Sequence, residues 1–168
     1  FALAARYRER LSLREALQLD ANAAIYGPPQ PAIDQWNTLA SAYPDEYVAY
    51  LMAAETQITF LQQYAKALRT LEPALSIQNP RQPSAWYMIG LSHTALEQYR
   101  QAQAAFEKYE NLGGRGFNRD NADMFAAQRR FKDAARILHM QDKTGAVGMD
   151  LDMANVLTQN RVSSAQAR

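Results

Sequence analysis

Apolar residues recur at helical spacing almost from end to end of this chain, and glycine and proline punctuate the runs. Strand signals are nearly absent. Short amphipathic helices cannot bury their apolar faces alone, so the question that decides the fold is whether they repeat. A period of about 34 residues would mean stacked helical hairpins. With 168 residues the chain suits one domain with a substantial core. Its 48% hydrophobic and 21% charged residues are the balance of a folded chain rather than a disordered one.

The clearest unit begins at Pro83, a residue suited to a first helical turn. Trp86, Ile89, Gly90 and His93 then share one helical face, and a short turn follows near Glu97. Tyr99, Ala102, Phe106 and Tyr109 line a second helix, which Gly113-Gly114 ends. The spacing predicts that Trp86 and Phe106 fill the space between the two helices while Gly90 and Ala102 let the backbones approach. These residues resemble the tetratricopeptide repeat, whose pattern is W-x2-L-G-x2-Y, then A-x3-F, then P. His93 stands at the tyrosine position and Gly114 at the final proline.

Three further units follow the pattern more loosely. In one, Ser12-x-x-Glu15 reads as a capping box opening a helix to about Tyr26; Gly27-Pro28-Pro29 turns, and Ala32, Trp36 and Leu39 continue to Pro44. Asp20 replaces the small glycine there. The next runs from Pro44 through Tyr47, Tyr50, Leu51 and Ala54, then Tyr64, Ala67, Leu71 and Ala74. Its register calls for about four extra residues around Ile58–Leu61, which places Leu51 at the glycine position. Pro73 should kink or shorten the second helix. The fourth unit has a helix over about Arg119–Arg129 and then Phe131, Ala134 and Leu138.

The expected architecture is therefore all-α. Stacked antiparallel helical hairpins form a right-handed solenoid, with units over about 12–43, 44–80, 83–114 and 116–142. A short polar helix carrying Arg6, Arg8, Glu9 and Arg10 should precede them. Met149, Met153, Val156 and Leu157 should form a capping helix over about 149–160, closing one domain over 1–160 ahead of a polar tail at 161–168. The segments "PAIDQW", "YPDEY" and "YRQAQAAFEKYENLGG" are also similar to repeat regions appended to bacterial signalling proteins. These include membrane-anchored transcription activators, receptor-type nucleotide cyclases and Hanks-type kinases. The chain opens at Phe1, which leads us to expect a piece of a longer product or a trimmed or processed form.

Composition narrows the function classes. Eighteen basic and 17 acidic residues are mixed along the chain, so no single-sign field implies nucleic acid or an anionic membrane as partner. No apolar run approaches the roughly 18–20 residues of a membrane span. There is no cysteine, which excludes disulfides, thiolate metal sites and a cysteine nucleophile. Cytosolic and periplasmic domains both manage without it, so the compartment stays open. His93 and His139 are the only histidines and lack the spacing of a zinc site; His93 reads as a hydrogen-bonded core residue.

Other candidates for chemistry have plainer explanations. Gly113-Gly114-Arg115-Gly116 lacks the strand, helix and lysine of a phosphate loop and reads as a turn with left-handed glycines. Asp150 and Asp152, like Asp120 and Asp123, suit helix N-termini. Gln128-Arg129-Arg130-Phe131-Lys132 is the densest basic stretch, and Asp123 and Asp133 flank it, as at a solvated helix end. Tyr43, Tyr47, Tyr50, Tyr64 and Tyr99 read as packing residues. No nucleophile, base and orienter assemble from these residues, so an enzyme is not expected, nor a cofactor or metal.

The resemblance itself implies a function. In tetratricopeptide arrays the first helices line a concave groove, which here would present Val48, Met52 and Glu55 from one unit and Tyr87, Leu91 and Thr94 from the next. An apolar, methionine-bearing groove suits an amphipathic helix or an extended peptide. The expectation is a scaffold or sensor module that binds another protein or peptide. Self-assembly through the groove or end caps, or sensing of a small ligand, is the alternative.

Overall fold

The computed structural model describes residues 8–115 and 118–142. The first described element is a 3₁₀ turn, Arg8–Arg10. Helix α1, Leu13–Ala24, opens on the expected capping box. The Glu15 N–H donates to Ser12 Oγ at 3.3 Å, and the Ser12 N–H donates to Glu15 Oε2 at 2.8 Å. Two of the helix's orphan donors are thereby satisfied. These bonds, the Ser12 side chain first, hold the Glu15 carboxyl below its usual range.

Seven more helices follow: α2 (Pro29–Ala42), α3 (Tyr47–Thr59), α4 (Tyr64–Leu71), α5 (Gln82–Ala95), α6 (Tyr99–Asn111), α7 (Asn118–Ala127) and α8 (Phe131–Asp142). Among the described residues there is no strand. Pro73 has the effect expected of it: α4 stops at Leu71 and the chain continues as a 3₁₀ turn, Glu72–Leu75. Each helix packs against the next in sequence, and α3 also touches α5. Apart from the link between α4 and α5, the connections run to six residues at most, so successive helices must reverse direction.

Helix starts recur regularly. The odd-numbered helices begin at 13, 47, 82 and 118, and the even-numbered ones at 29, 64, 99 and 131. Fourth in each even helix stands a buried alanine: Ala32, Ala67, Ala102 and Ala134. One turn later Trp36, Leu71 and Phe106 are each 2% exposed or less. Each odd helix contributes a buried small residue about twelve positions earlier: Ala21, Ala54, Gly90 and Ala122. Leu51 and Asp20, expected at that small position, are not there. Leu51 points toward Ala67 and Leu71, while half-buried Asp20 accepts from Arg8 Nε at 3.0 Å.

The turns explain the shifted register. α5, α6 and α7 end in Schellman motifs. Gln98, Gly114 and Arg130 donate back five residues to the carbonyls of His93, Tyr109 and Phe125, across Glu97, Gly113 and Arg129 at positive φ. After α3 the Gln63 N–H instead reaches Gln57 O, six residues back, across Gln62 at φ 52°. The turn therefore holds one extra residue, where the sequence pattern called for about four. No glycine marks the left-handed position at Gln62, Glu97 or Arg129, although such a conformation costs an L-residue roughly 1–2 kcal/mol.

Among the described residues the core is a string of three clusters, each between an even helix and the helices beside it. The first gathers Ala21, Ile33, Trp36, Leu39 and Ala53. A second joins Leu51, Ala67, Leu71, Ala85 and Ile89, and the third Phe106, Ala122, Met124, Phe125 and Phe131. Trp86 is only half-buried at the edge of the second cluster, so Trp36 and Phe106 are the most deeply buried rings among the described residues. His93 is half-exposed, with Nδ1 2.6 Å from Gln98 Oε1 across the turn. It is hydrogen-bonded as expected but is not a core residue.

The expected cap over 149–160, together with Arg6, Gly116, Asp150 and Asp152, lies outside the described residues, as do the side chains of Arg119, Leu138 and His139.

Candidate functional site

Gly27-Pro28-Pro29 ends α1 and starts α2 within four residues, with Pro29 at the first helical position. So abrupt a reversal carries Ile25 and Tyr26 past the face that α1 buries. They are 39% and 78% exposed. Phe60 caps the C-terminus of α3 and is 67% exposed. These three residues border one cavity of about 300 Å³, formed where the end of α1, the start of α2 and the second half of α3 meet.

Ala32, 1% exposed, and Pro29 contribute the α2 side of the cavity. Met52 forms the opposite wall and also packs against the Trp36 cluster, which fixes that wall to the core. The polar margin comes from α3: Glu55, Thr56 and Thr59. The Thr56 hydroxyl donates to Met52 O at 2.8 Å, leaving only its lone pairs for another group. Glu55 is exposed and, among the described residues, is the one charged side chain that lines the cavity.

Because α1 buries little more than Ala16 and Ala21, polar contacts secure it. Arg14 Nη2 lies 2.8 Å from Asp45 Oδ2, and its Nε lies 3.2 Å from Glu46 Oε2. Its guanidinium also stacks 4.8 Å from the Tyr43 ring centre, while Gln18 Nε2 donates to Glu46 at 2.9 Å. The hydrogen bond to Arg14 is the main reason the Asp45 carboxyl sits below its ordinary range. These contacts hold α1 to the loop before α3 and so keep the two sides of the cavity together.

No protein-family model and no curated protein matches this chain.

The six residues expected to line one groove lie in two places. Met52 and Glu55 line the cavity, and Val48 is half-buried one turn before them. Tyr87 and Leu91 pack against the third cluster. The Tyr87 ring lies 5.6 Å from Tyr109 and 6.4 Å from Phe106, and its hydroxyl donates to Asp120 Oδ2 at 2.8 Å. Burial, then the hydrogen bond to the Asp120 carboxylate, pushes the phenol well above its ordinary range. Thr94 donates to Gly90 O at 2.9 Å.

The split has a clear origin. With one extra residue in the turn after α3, Tyr87 of α5 corresponds to Leu51 of α3 rather than to Val48, and both pack inward, Leu51 within the second cluster and Tyr87 against the third.

The basic stretch at 128–132 is largely engaged. Arg130 lies over the Phe125 ring at 4.6 Å and pairs with Asp133 at 2.9 Å, and Arg136 pairs with the same carboxylate. Among the described residues, no three histidine or acidic side chains converge as metal ligands, and no helix is long and apolar enough to cross a membrane.

Ile25, Tyr26 and Phe60 played no part in the sequence reading of the site. Their signal in the sequence is slight: large apolar residues at helix ends, beside turn residues, where no helical stripe needs them.

Proposed function

We propose that this chain is a non-catalytic interaction module of tetratricopeptide type, a right-handed solenoid of about four hairpins that holds a segment of another protein. The observation that carries the binding reading is the cavity at the end of the first hairpin. Of the six large hydrophobic residues that stand exposed among the described residues, Ile25, Tyr26 and Phe60 border this one opening. Exposed apolar side chains gathered round a concavity mark interaction sites, because their hydration is relieved when a partner covers them.

The repeat reading draws support from helix starts spaced by 32 to 36 residues and from the recurring pairs of small residues. The contact between α3 and α5 fits stacked hairpins. A catalytic role for the cavity has little to work with, since the Thr56 hydroxyl is committed to Met52 O rather than to the Glu55 carboxylate.

Selection from a random peptide display library tests the proposal. Wild type should enrich peptides sharing a bulky apolar anchor, and Phe60→Ala should lose them while melting as wild type does. Failure to enrich any peptide sequence would overturn the reading. Self-association is the second reading, favoured by Leu13 and Ile77, 64% and 93% exposed away from the cavity. Light scattering that shows a stable dimer, persisting in Phe60→Ala, would support it instead.

A further inference from the structure

The cavity carries a charge preference as well as an apolar one. Among the described residues Glu55 is the only charged side chain in its lining, and the Thr56 hydroxyl donates its proton to Met52 O, so both offer acceptors there. The ends of the helices add to this. Ile25, Tyr26 and Gly27 follow the last turn of α1, while Thr56, Thr59 and Phe60 belong to the last turn of α3. Two helix C-termini, which carry partial negative charge, therefore border this opening, against one N-terminus among the lining residues, that of α2 at Pro29. The Phe60 ring at the rim is 67% exposed, and aromatic rings attract cations.

Size sets the other limit. At about 300 Å³ the cavity lies at the lower end of the range for ligand pockets, roughly 300–1,000 Å³. It suits a single anchoring side chain better than an extended small molecule.

Building on the peptide-binding reading above, we infer that the occupant is a peptide segment presenting a bulky apolar side chain directly beside a lysine or arginine. The apolar side chain enters between Met52, Ala32 and Ile25, and the neighbouring cation meets Glu55 and the Phe60 ring. An acidic neighbour would face Glu55 and the surplus helix C-terminus, and would be repelled.

The test uses two probes, acetyl-Phe-Lys-amide and acetyl-Phe-Glu-amide, titrated at millimolar concentration while backbone amide NMR shifts are followed. The lysine probe should move the amides of Ile25, Gly27, Thr59 and Phe60 and bind about fivefold more tightly than the glutamate probe. That factor is what a largely exposed ion pair provides. Glu55→Gln should shrink the difference to about twofold or less, whereas Glu107→Gln on α6 should leave it unchanged. Raising the salt to 0.5 M, which shortens the screening length to roughly 4–5 Å, should narrow it too.

Equal binding of both probes, tighter binding of the glutamate probe, or no shift at these amides would each overturn the inference. The peptide-binding reading would survive any of these if display still enriched apolar peptides lacking a basic neighbour. An empty display selection would defeat that reading instead.

Discussion

Gly90 offers the sharpest test of the packing, because two well-known effects oppose each other there. Replacing a helical glycine by alanine ordinarily stabilises a protein by about 0.8–1 kcal/mol through helix propensity. At this position an added Cβ would lie under 3.0 Å from three carbons of the Phe106 ring. That ring is 2% exposed and has Tyr87, Ala122 and Met124 in the same cluster, so it has little room to retreat. Overpacking of this kind costs about 1–3 kcal/mol. Set against the propensity gain, the net effect of Gly90→Ala should be a loss of about 0.5–2 kcal/mol, or roughly 1–6 °C in Tm for a chain of this size. The clash partner is Phe106, not Ala102 as the hairpin pattern alone suggested. A double-mutant cycle isolates it. In a Phe106→Leu background the ring is gone, and Gly90→Ala should become neutral or stabilising, giving a coupling of about 1 kcal/mol or more in urea melts. A Gly90→Ala variant more stable than wild type, or a coupling near zero, would refute the packing argument.

Three further outcomes follow from particular residues. Trp36→Ala should cost about 3–5 kcal/mol in urea melts, and Trp86→Ala distinctly less, since Trp36 is 1% exposed and Trp86 half-buried; equal losses would contradict that difference. Glu97→Gly should raise stability by up to about 1 kcal/mol, because φ is 57° there and glycine adopts it without strain; a destabilised variant would count against the turn geometry. The hydrogen bond and charge of Arg8 hold the Asp20 carboxyl below its ordinary value, so its stabilising contribution is present above about pH 4 and disappears as the pH falls through the lowered folded-state value. Asp20→Asn should therefore melt below wild type at pH 7 and alongside it near pH 2; a gap that persists at pH 2 would mean that the charge is not responsible.

Much of the local structure was legible in the residues. Ser12 and Glu15 announce the start of α1, Pro73 the shortening of α4, and Gly113 the end of α6. The alanine and the large side chain one turn later identify every even helix except α8, where only Ala134 is described. These features depend on hydrogen bonds and side chains within about five residues of one another, so short sequence windows contain them.

How the hairpins meet was decided elsewhere. Gln62, Glu97 and Arg129 take left-handed conformations without a glycine to advertise them, because packing on both sides outweighs a local cost of roughly 1–2 kcal/mol. The single extra residue in the turn after α3 then rotates the correspondence between α3 and α5. That rotation packs Leu51 within the second cluster and Tyr87 against the third, and leaves Met52 and Glu55 lining the cavity. The cavity draws its walls from α1, α2 and α3, up to 35 positions apart in the chain. Helical periodicity tells which residues share a face, so the chain of residues determined the helices and their buried small positions. Which face meets which neighbour depends on turn geometry, and only the tertiary packing selects it.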